Sequence, residues 1–378
     1  MQLRNFAGAG EQLSLLAFGV MRMPVKDEKL SDIDEQKALQ MIDHAYKNGV
    51  NYFDTAHLYH DGASQAFIGK ALSGYPRESF YLATKMPPWL LEKEGDAQRI
   101  FDEQLRSCGV DYFDFYLMHC INRQTMPMYE KFGVYEFLLE QRKKGKLRRL
   151  GFSLHDNNEV LEQILNKWDF EFAYIQLNYL DWDGQNAKGL YQTLADRGIP
   201  VLAMEPVRGG VLADPSTGSA KVLQGAAPER SVASWGMRFA ADLPGVVSVL
   251  SGMSTLEQVE DNLATFKNFA PLTPAERETI RQAADAYRKS NAAPCTACRY
   301  CMPCPVGVDI PHSFTAYNAF KSSGNKDFFA MHYRHIGQGN QPEDCTGCGH
   351  CVPLCPQHLD IPQWMDKIAK AHEALNIK

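Results

Sequence analysis

From about residue 15 to residue 250, short apolar runs alternate with longer stretches whose apolar residues recur at helical spacing. The runs that read as strands are Leu15–Val20, Val50–Asp54, Phe80–Thr84, Phe113–His119, Leu147–Ser153, Phe172–Leu177, Ile199–Met204 and Val246–Leu250. Between them, stretches such as Asp34–Lys47, Asp96–Cys108 and Tyr129–Lys143 oppose an apolar face to a polar one. Gly49 and Gly198 sit where helix ends pass into strands. Strands alternating with helices over about 250 residues predict an α/β fold, a (β/α)8 TIM barrel. A doubly wound sheet is the runner-up, but it calls for a Gly-rich turn after its first strand, and none is present.

The pattern changes near residue 290. Thr273–Lys289 reads as one more helix and Ser290–Pro294 as a linker, so the expected division is a barrel over 1–290 and a second domain over 291–378. The second part contains an internal repeat, CTACRYCMPCPVGVDIP against CTGCGHCVPLCPQHLDIP. Its first run is Cys295, Cys298, Cys301 and Cys304, followed by Pro305; its second is Cys345, Cys348, Cys351 and Cys355, followed by Pro356. Both runs end Cys-Pro-x-x-x-Asp-Ile-Pro, at Cys304–Pro311 and Cys355–Pro362, and both lead into helix-like stretches near His312–Ser322 and Gln363–Leu375.

A C-x2-C-x2-C run places three thiolates on one tight loop, able to cap three corners of a small inorganic cube, and a later cysteine before a proline usually serves the other cube. The spacing therefore points to two [4Fe–4S] clusters, one held by Cys295, Cys298, Cys301 and Cys355, the other by Cys345, Cys348, Cys351 and Cys304. The first run departs from the usual pattern, with two residues before its last cysteine instead of three. Zinc also takes four cysteines, but its sites usually pair two CxxC motifs across a longer stretch, without a third close cysteine or a trailing proline. Disulfides fit poorly in a chain without an export signal whose other two cysteines lie far away. The segment between Cys304 and Cys345 exceeds what a compact two-hairpin ferredoxin needs, so a small helical two-cluster domain is expected.

Composition narrows the partners. In 378 residues, 45% hydrophobic and 22% charged side chains describe an ordinary globular protein with ample core. A net charge of −6 argues against nucleic acid or an acidic membrane surface as the main partner. The N-terminal stretch shows neither the charged region nor the long apolar region of a signal peptide, and no apolar run approaches the roughly 20 residues of a membrane helix. Clusters and exposed thiolates belong in a reducing compartment, so a cytoplasmic location is expected.

In a (β/α)8 barrel the working residues sit at the C-terminal strand ends. Asp54 ends the second strand, Lys85 follows the third, His119 ends the fourth, and Tyr59 lies in the loop beyond Asp54. These types fit the reduction of a carbonyl by hydride, which needs a proton donor for the developing alkoxide and positive charge or a further donor nearby. Tyr59 would be the acid/base, Lys85 would lower its pKa, Asp54 would hold Lys85, and His119 would orient the carbonyl.

On the DTAxxY segment, matched at Asp54, Thr55, Ala56 and Tyr59, residues 1–290 resemble the aldo-keto reductase family. The remainder resembles the bacterial branch of that family with a C-terminal ferredoxin-like module. The resemblance implies that Asp54, Tyr59, Lys85 and His119 form the family's catalytic tetrad, with nicotinamide contacts at Ser153 and Gln176. The family's asparagine after Ser153 is Leu154 here, with His155 as a substitute, and its ring-stacking tyrosine after the seventh strand is replaced by Met204. In the family a Lys-Ser pair and an arginine grip the 2′-phosphate of NADP; aligned on Asn262, those positions hold Gly252, Met253 and Gln258. Losing the cations removes charge-assisted bonds to a phosphate, so NAD(H) is expected as readily as NADP(H), unless a cation such as Arg208 restores the grip.

The expected function is an oxidoreductase that interconverts a small carbonyl and an alcohol with a nicotinamide, linked to electron transfer through two clusters and a redox partner protein. Hydride moves two electrons and a cluster moves one, so a flavin would normally stand between them, although no flavin fingerprint is visible. The alternative is a conventional reductase whose iron–sulfur module serves structure, docking or redox sensing. A barrel that only senses nicotinamide is a third reading, against which the intact tetrad argues. His57 and His60 flank Tyr59 as pocket-lining candidates, Cys120 reads as buried and inert, and the basic run Arg142–Arg149 reads as a solvated face or a dock for an acidic partner.

Overall fold

The computed structural model describes residues 1–6, 10–27, 29–184, 186–290 and 292–376, so Asn291 of the expected linker lies outside the described residues. The chain divides into two compact units, Met1–Pro206 with Gly236–Leu272, and Val207–Trp235 with Thr273–Lys378. The second unit thus draws in a barrel-region segment and the helix Pro274–Lys289, both N-terminal to the boundary expected at 290.

In the first unit, β1 (Leu3–Asn5) and β2 (Gln12–Ser14) form an antiparallel hairpin. The next strands are β3 (Leu16–Gly19), β4 (Tyr52–Asp54), β5 (Tyr81–Met86), β6 (Phe113–Ile121), β7 (Leu147–Leu154), β8 (Phe172–Gln176), β9 (Val201–Met204) and β10 (Val246–Gly252). They pair in parallel in chain order, and β10 returns to β3 to close the barrel. Closure leaves no place for the doubly wound alternative. Four strands, β5, β6, β7 and β10, run past their expected ends; Lys85 thus lies within β5 and His119 within β6, because these two are buried along nearly their whole length and the ladder continues from Lys85 opposite Leu117 to Met86 opposite Met118.

The hairpin was not legible as strand in runs of three residues, yet it closes the end of the barrel where the strands begin. Phe6 sits edge-on to Phe115 at 5.1 Å and to Phe172 at 6.1 Å, in a core with Leu13, Ala17, Ala83, Leu202 and Val247. The strand C-termini are left as the working end. Around the barrel, the helix Ser64–Leu72 lies hard against Asp96–Cys108: a Cβ at Gly69 would stand 2.4 Å from the Cys108 carbonyl oxygen, so only glycine allows this approach. The three arginines of the basic run are ion-paired within the barrel unit, Arg142 and Arg149 each 2.8 Å from Glu171 and Arg148 3.1 Å from buried Asp114, which favours the solvated-face reading over a dock.

In the second unit, Thr273 and Glu276 form a capping box at the start of the helix Pro274–Lys289, and Arg230 donates to Glu276 at 2.9 Å. The Asp-Ile-Pro repeat proves to be a helix start used twice. Asp309 caps the helix Ile310–Ser323 by accepting from His312 N, and Asp360 caps Ile361–Leu375 by accepting from Gln363 N. In each, proline takes a first-turn position whose N–H would have no helical partner. Ile310 and Ile361 are buried with Val308, Leu359, Phe314 and Met365 in one core. The long segment between the cysteine runs supplies a further helix, Lys326–Tyr333.

Candidate functional site

At the C-terminal end of the barrel, Gly19 pairs with Asp54 on one side and with Gly252 on the other, so the ends of β10, β3 and β4 share a level. Lys85 Nζ donates to Asp54 Oδ1 at 2.8 Å, to Asp54 Oδ2 at 2.7 Å, to the Thr55 carbonyl at 2.9 Å and to the Tyr59 hydroxyl at 3.2 Å. The His119 ring stands perpendicular to that of Tyr59, with centroids 6.4 Å apart. All four side chains are buried. Buried groups pin the backbone beneath them: Gln104 donates to the Lys85 carbonyl at 2.8 Å, and the Tyr129 hydroxyl reaches the Met86 and His119 carbonyls at 2.8 and 2.6 Å.

Burial dominates the electrostatics. It pushes the Asp54 carboxyl up and the Lys85 ammonium down, each against the pull of the other. It holds His119 well below the usual imidazole range, so that ring is neutral. Tyr59 corrects an expectation: its phenol lies well above its ordinary value, through burial first and then the charges of Asp54 and Glu205, with Arg22 pulling the other way. A neighbouring lysine does not outweigh desolvation here. Tyr59 is a phenol at neutral pH, the form that donates a proton.

Several contributors escaped the sequence reading. Tyr174, on β8, acts to lower the Asp54 pKa and meets the Tyr52 hydroxyl at 2.7 Å, continuing the polar groups into the barrel core. Its period-two spacing with Gln176 was the available signal. Trp89, 37% exposed, lies 5.3 Å from the His119 ring and offers an apolar wall beside it. His60, a pocket-lining candidate by its place beside Tyr59, is used for structure. It is buried, with Nε2 accepting from Met23 N at 3.1 Å and Nδ1 meeting the Leu30 carbonyl at 2.9 Å, so it straps the loop after β3 to the segment that carries Tyr59.

The residues expected to meet nicotinamide divide into two groups. Ser153, Gln176, Met204 and Gly252 stand at the ends of β7, β8, β9 and β10. The Ser153 hydroxyl accepts from Cys120 N at 2.7 Å, and Gln176 donates to Asp181 at 2.5 Å. Gln258 and Asn262 lie on the helix Leu256–Lys267, where Gln258 accepts from Ser254 N at 2.8 Å and buried Asn262 donates to Ser251 Oγ at 2.9 Å. Gly252 has a role that alignment did not show. The methylene stem of Arg22 packs over it, its Cβ, Cγ and Cδ 3.3–3.5 Å from where a Cβ would be, so an arginine stem from the loop after β3 occupies the space a side chain at 252 would take. Arg208, by contrast, is buried in the second unit and donates to the Pro294 carbonyl at 3.0 Å.

The eight clustered cysteines line two cavities of the second unit. Cys295, Cys298, Cys301 and Cys355 share one; Cys304, Cys345, Cys348 and Cys351 share the other. Ile310 and Ile361 line both and form a common wall. Burial pushes the Cys295 thiol up to about 12 and Cys351 to about 11, so thiolates there call for positive charge inside the cavity. The donor set, four thiols to each cavity, suits an iron–sulfur core.

Comparison with known proteins agrees with this geometry. Residues 15–285 match the aldo/keto reductase family, and residues 294–359 match a 4Fe-4S dicluster domain. The NADH-specific methylglyoxal reductase of Escherichia coli (strain K12) is 26% identical over 305 residues, 68% of this chain and 90% of that protein. The L-galactose dehydrogenase of Arabidopsis thaliana is 22% identical over 75% of this chain and 93% of its own length. Among solved structures, the aldo-keto reductase AKR11C1 from Bacillus halodurans (holo form) superposes with a TM-score of 0.62 at 26% identity, covering 76% of this chain and 97% of that one. No helix among the described residues is long and apolar enough to cross a membrane. This chain belongs to the aldo/keto reductase family and carries a C-terminal 4Fe-4S dicluster domain.

Proposed function

We propose that the barrel reduces small carbonyl compounds with a nicotinamide, with Tyr59 as proton donor, and that the C-terminal module carries two [4Fe–4S] clusters for one-electron exchange with a redox partner protein in the cytoplasm. The observation that carries the first part is the buried contact set of Lys85 with Asp54 and Tyr59. When bound, nicotinamide supplies the hydride. Tyr59, kept protonated by burial, donates to the developing alkoxide; Lys85 fixes the phenol and is itself fixed by Asp54; neutral His119 offers a further donor to the carbonyl oxygen. Ser153, Gln176 and Met204 would hold the nicotinamide ring, with Gly252, Gln258, Asn262 and Arg22 toward its phosphates. Arg22 brings back positive charge that the aligned positions lack, while the Escherichia coli relative is NADH-specific. We therefore propose use of both nicotinamides, without strong preference for NADPH.

We assign Cys295, Cys298, Cys301 and Cys355 to one cluster and Cys304, Cys345, Cys348 and Cys351 to the other, within a domain division at 290/291. The fit of each set to its own cavity supports this reading. The test of the barrel's role is steady-state reduction of 2-oxoaldehydes with NADH and NADPH. Tyr59→Phe should lower kcat about 10²–10⁴-fold and leave nicotinamide binding intact; full activity in that variant would overturn the assignment. Bleaching of the cluster absorbance by NADH under anaerobic conditions supports electron exchange, and its absence supports a structural or sensing module.

A further inference from the structure

Arg208 is 1% exposed, an unusual place for a guanidinium. It sits at φ +51 and is followed by Gly209 and Gly210, also at positive φ, so three successive left-handed residues turn this loop. A non-glycine residue in that region is strained, and it persists where surrounding contacts hold it. One such contact is Nη2 donating to the Pro294 carbonyl at 3.0 Å, on the peptide unit that enters Cys295. The Arg208 charge acts on the Cys295 thiol in the direction opposite to burial, as the smallest of the influences on it.

The two cysteine cavities differ in their access to water. Around the second, Cys348 is exposed, as are Thr346, Gly347 and His350 on the same loop. Around the first, Thr296 and Cys301 are buried and no cysteine is exposed. One-electron reduction adds negative charge to a group already anionic through its four thiolates, and burial opposes that addition. Water can screen the second site. The first has one half-buried guanidinium in its lining, Arg299, and the fully buried one of Arg208 behind Cys295, where water does not screen it.

We propose that Arg208 sets the reduction potential of the cluster held by Cys295, Cys298, Cys301 and Cys355, stabilising its reduced form, and leaves the potential of the other cluster unchanged. This rests on the ligand assignment above. The reaction concerned is the one-electron couple alone: the cluster gains an electron from dithionite in the titration and returns it on oxidation.

The test is an anaerobic redox titration of the full holo-chain followed by EPR, with iron and sulfide assayed in every sample. Parent protein without iron or without an EPR signal on reduction would sink the cluster reading itself, separately from the role of Arg208. In Arg208→Met, one of the two couples should move to lower potential by at least a tenfold change in reduced-to-oxidised ratio, about 59 mV for one electron. Arg208→Lys keeps the charge and should move the same couple less. Two unmoved couples in a fully loaded Met variant, or two couples moved alike, would overturn the proposal. Loss of one cluster from both variants would make Arg208 a clamp on the Pro294 carbonyl and would overturn it too.

Discussion

At the barrel mouth the reactive groups touch one another: Lys85 contacts Asp54, Thr55 and Tyr59 directly, and Gln104 and Tyr129 pin the backbone below. In the second unit the eight cysteines face two cavities instead, from loops that belong to no helix or strand. Both regions place side chains for redox chemistry, yet one is organised by a closed ladder of strands and the other around room for something else. A barrel can hold a buried ion pair in register because its strands cannot slip past each other. Short cysteine loops have no such ladder, so the group they bind must supply the cross-links, and its binding becomes folding.

The strongest way to break this contrast is to remove the iron. Anaerobic chelation should abolish hydrogen-exchange protection in the helices Ile310–Ser323 and Ile361–Leu375 while β4 to β7 keep theirs. Retained protection in both helices would show a module that folds without its core. Next in size is Lys85→Met, which should cost carbonyl reduction about 10²-fold or more. Burial lowers the Lys85 pKa, so parent activity should fall as pH rises through that lowered value, and the variant should lack this limb. An unchanged alkaline limb in the variant would assign it to another group.

His60 sharpens the comparison on the barrel side. Truncation to Ala leaves the Met23 N–H and the Leu30 carbonyl without their partner and should destabilise the barrel by about 1–3 kcal/mol. Its pKa is depressed in the fold, chiefly by burial, so the unfolded chain takes up the proton first as pH falls. Stability should therefore decline from the ordinary histidine pKa, about 6.5, down to the depressed one, and His60→Gln should flatten that decline in thermal melts. The smallest effect is at a helix start. Asp360→Ala removes the cap of Ile361–Leu375 and should cost about 1 kcal/mol, read as a denaturation shift confined to the module. A loss of several kcal/mol would mean that the cap also shapes the cysteine loop.

Much of both regions was legible from residues alone. The eight barrel strands alternate with helices strongly enough to be read, and Asp54, Tyr59, Lys85 and His119 fall near strand ends by position. Three-residue strands such as Leu3–Asn5 carry too few alternations for a period to show. Trp89, Tyr174 and Arg22 were missed because each comes from a different strand or loop and has no motif of its own. The lowering of the Tyr59 pKa by lysine was read from a pairwise rule; the structure reverses it because burial acts on the phenol more strongly than one neighbour does.

What the sequence by itself determined is the order of elements, the cysteine spacing and the residue types available for chemistry, since periodicity and spacing are properties of the chain. Tertiary structure alone decided that the Arg22 stem lies over Gly252, that Arg208 is buried beside Cys295, that His60 is a strap, and which way the pKa of Tyr59 moves. Each of these depends on distance and on exclusion of water between residues far apart in the chain, and neither quantity exists until the strands have closed and the helices have packed.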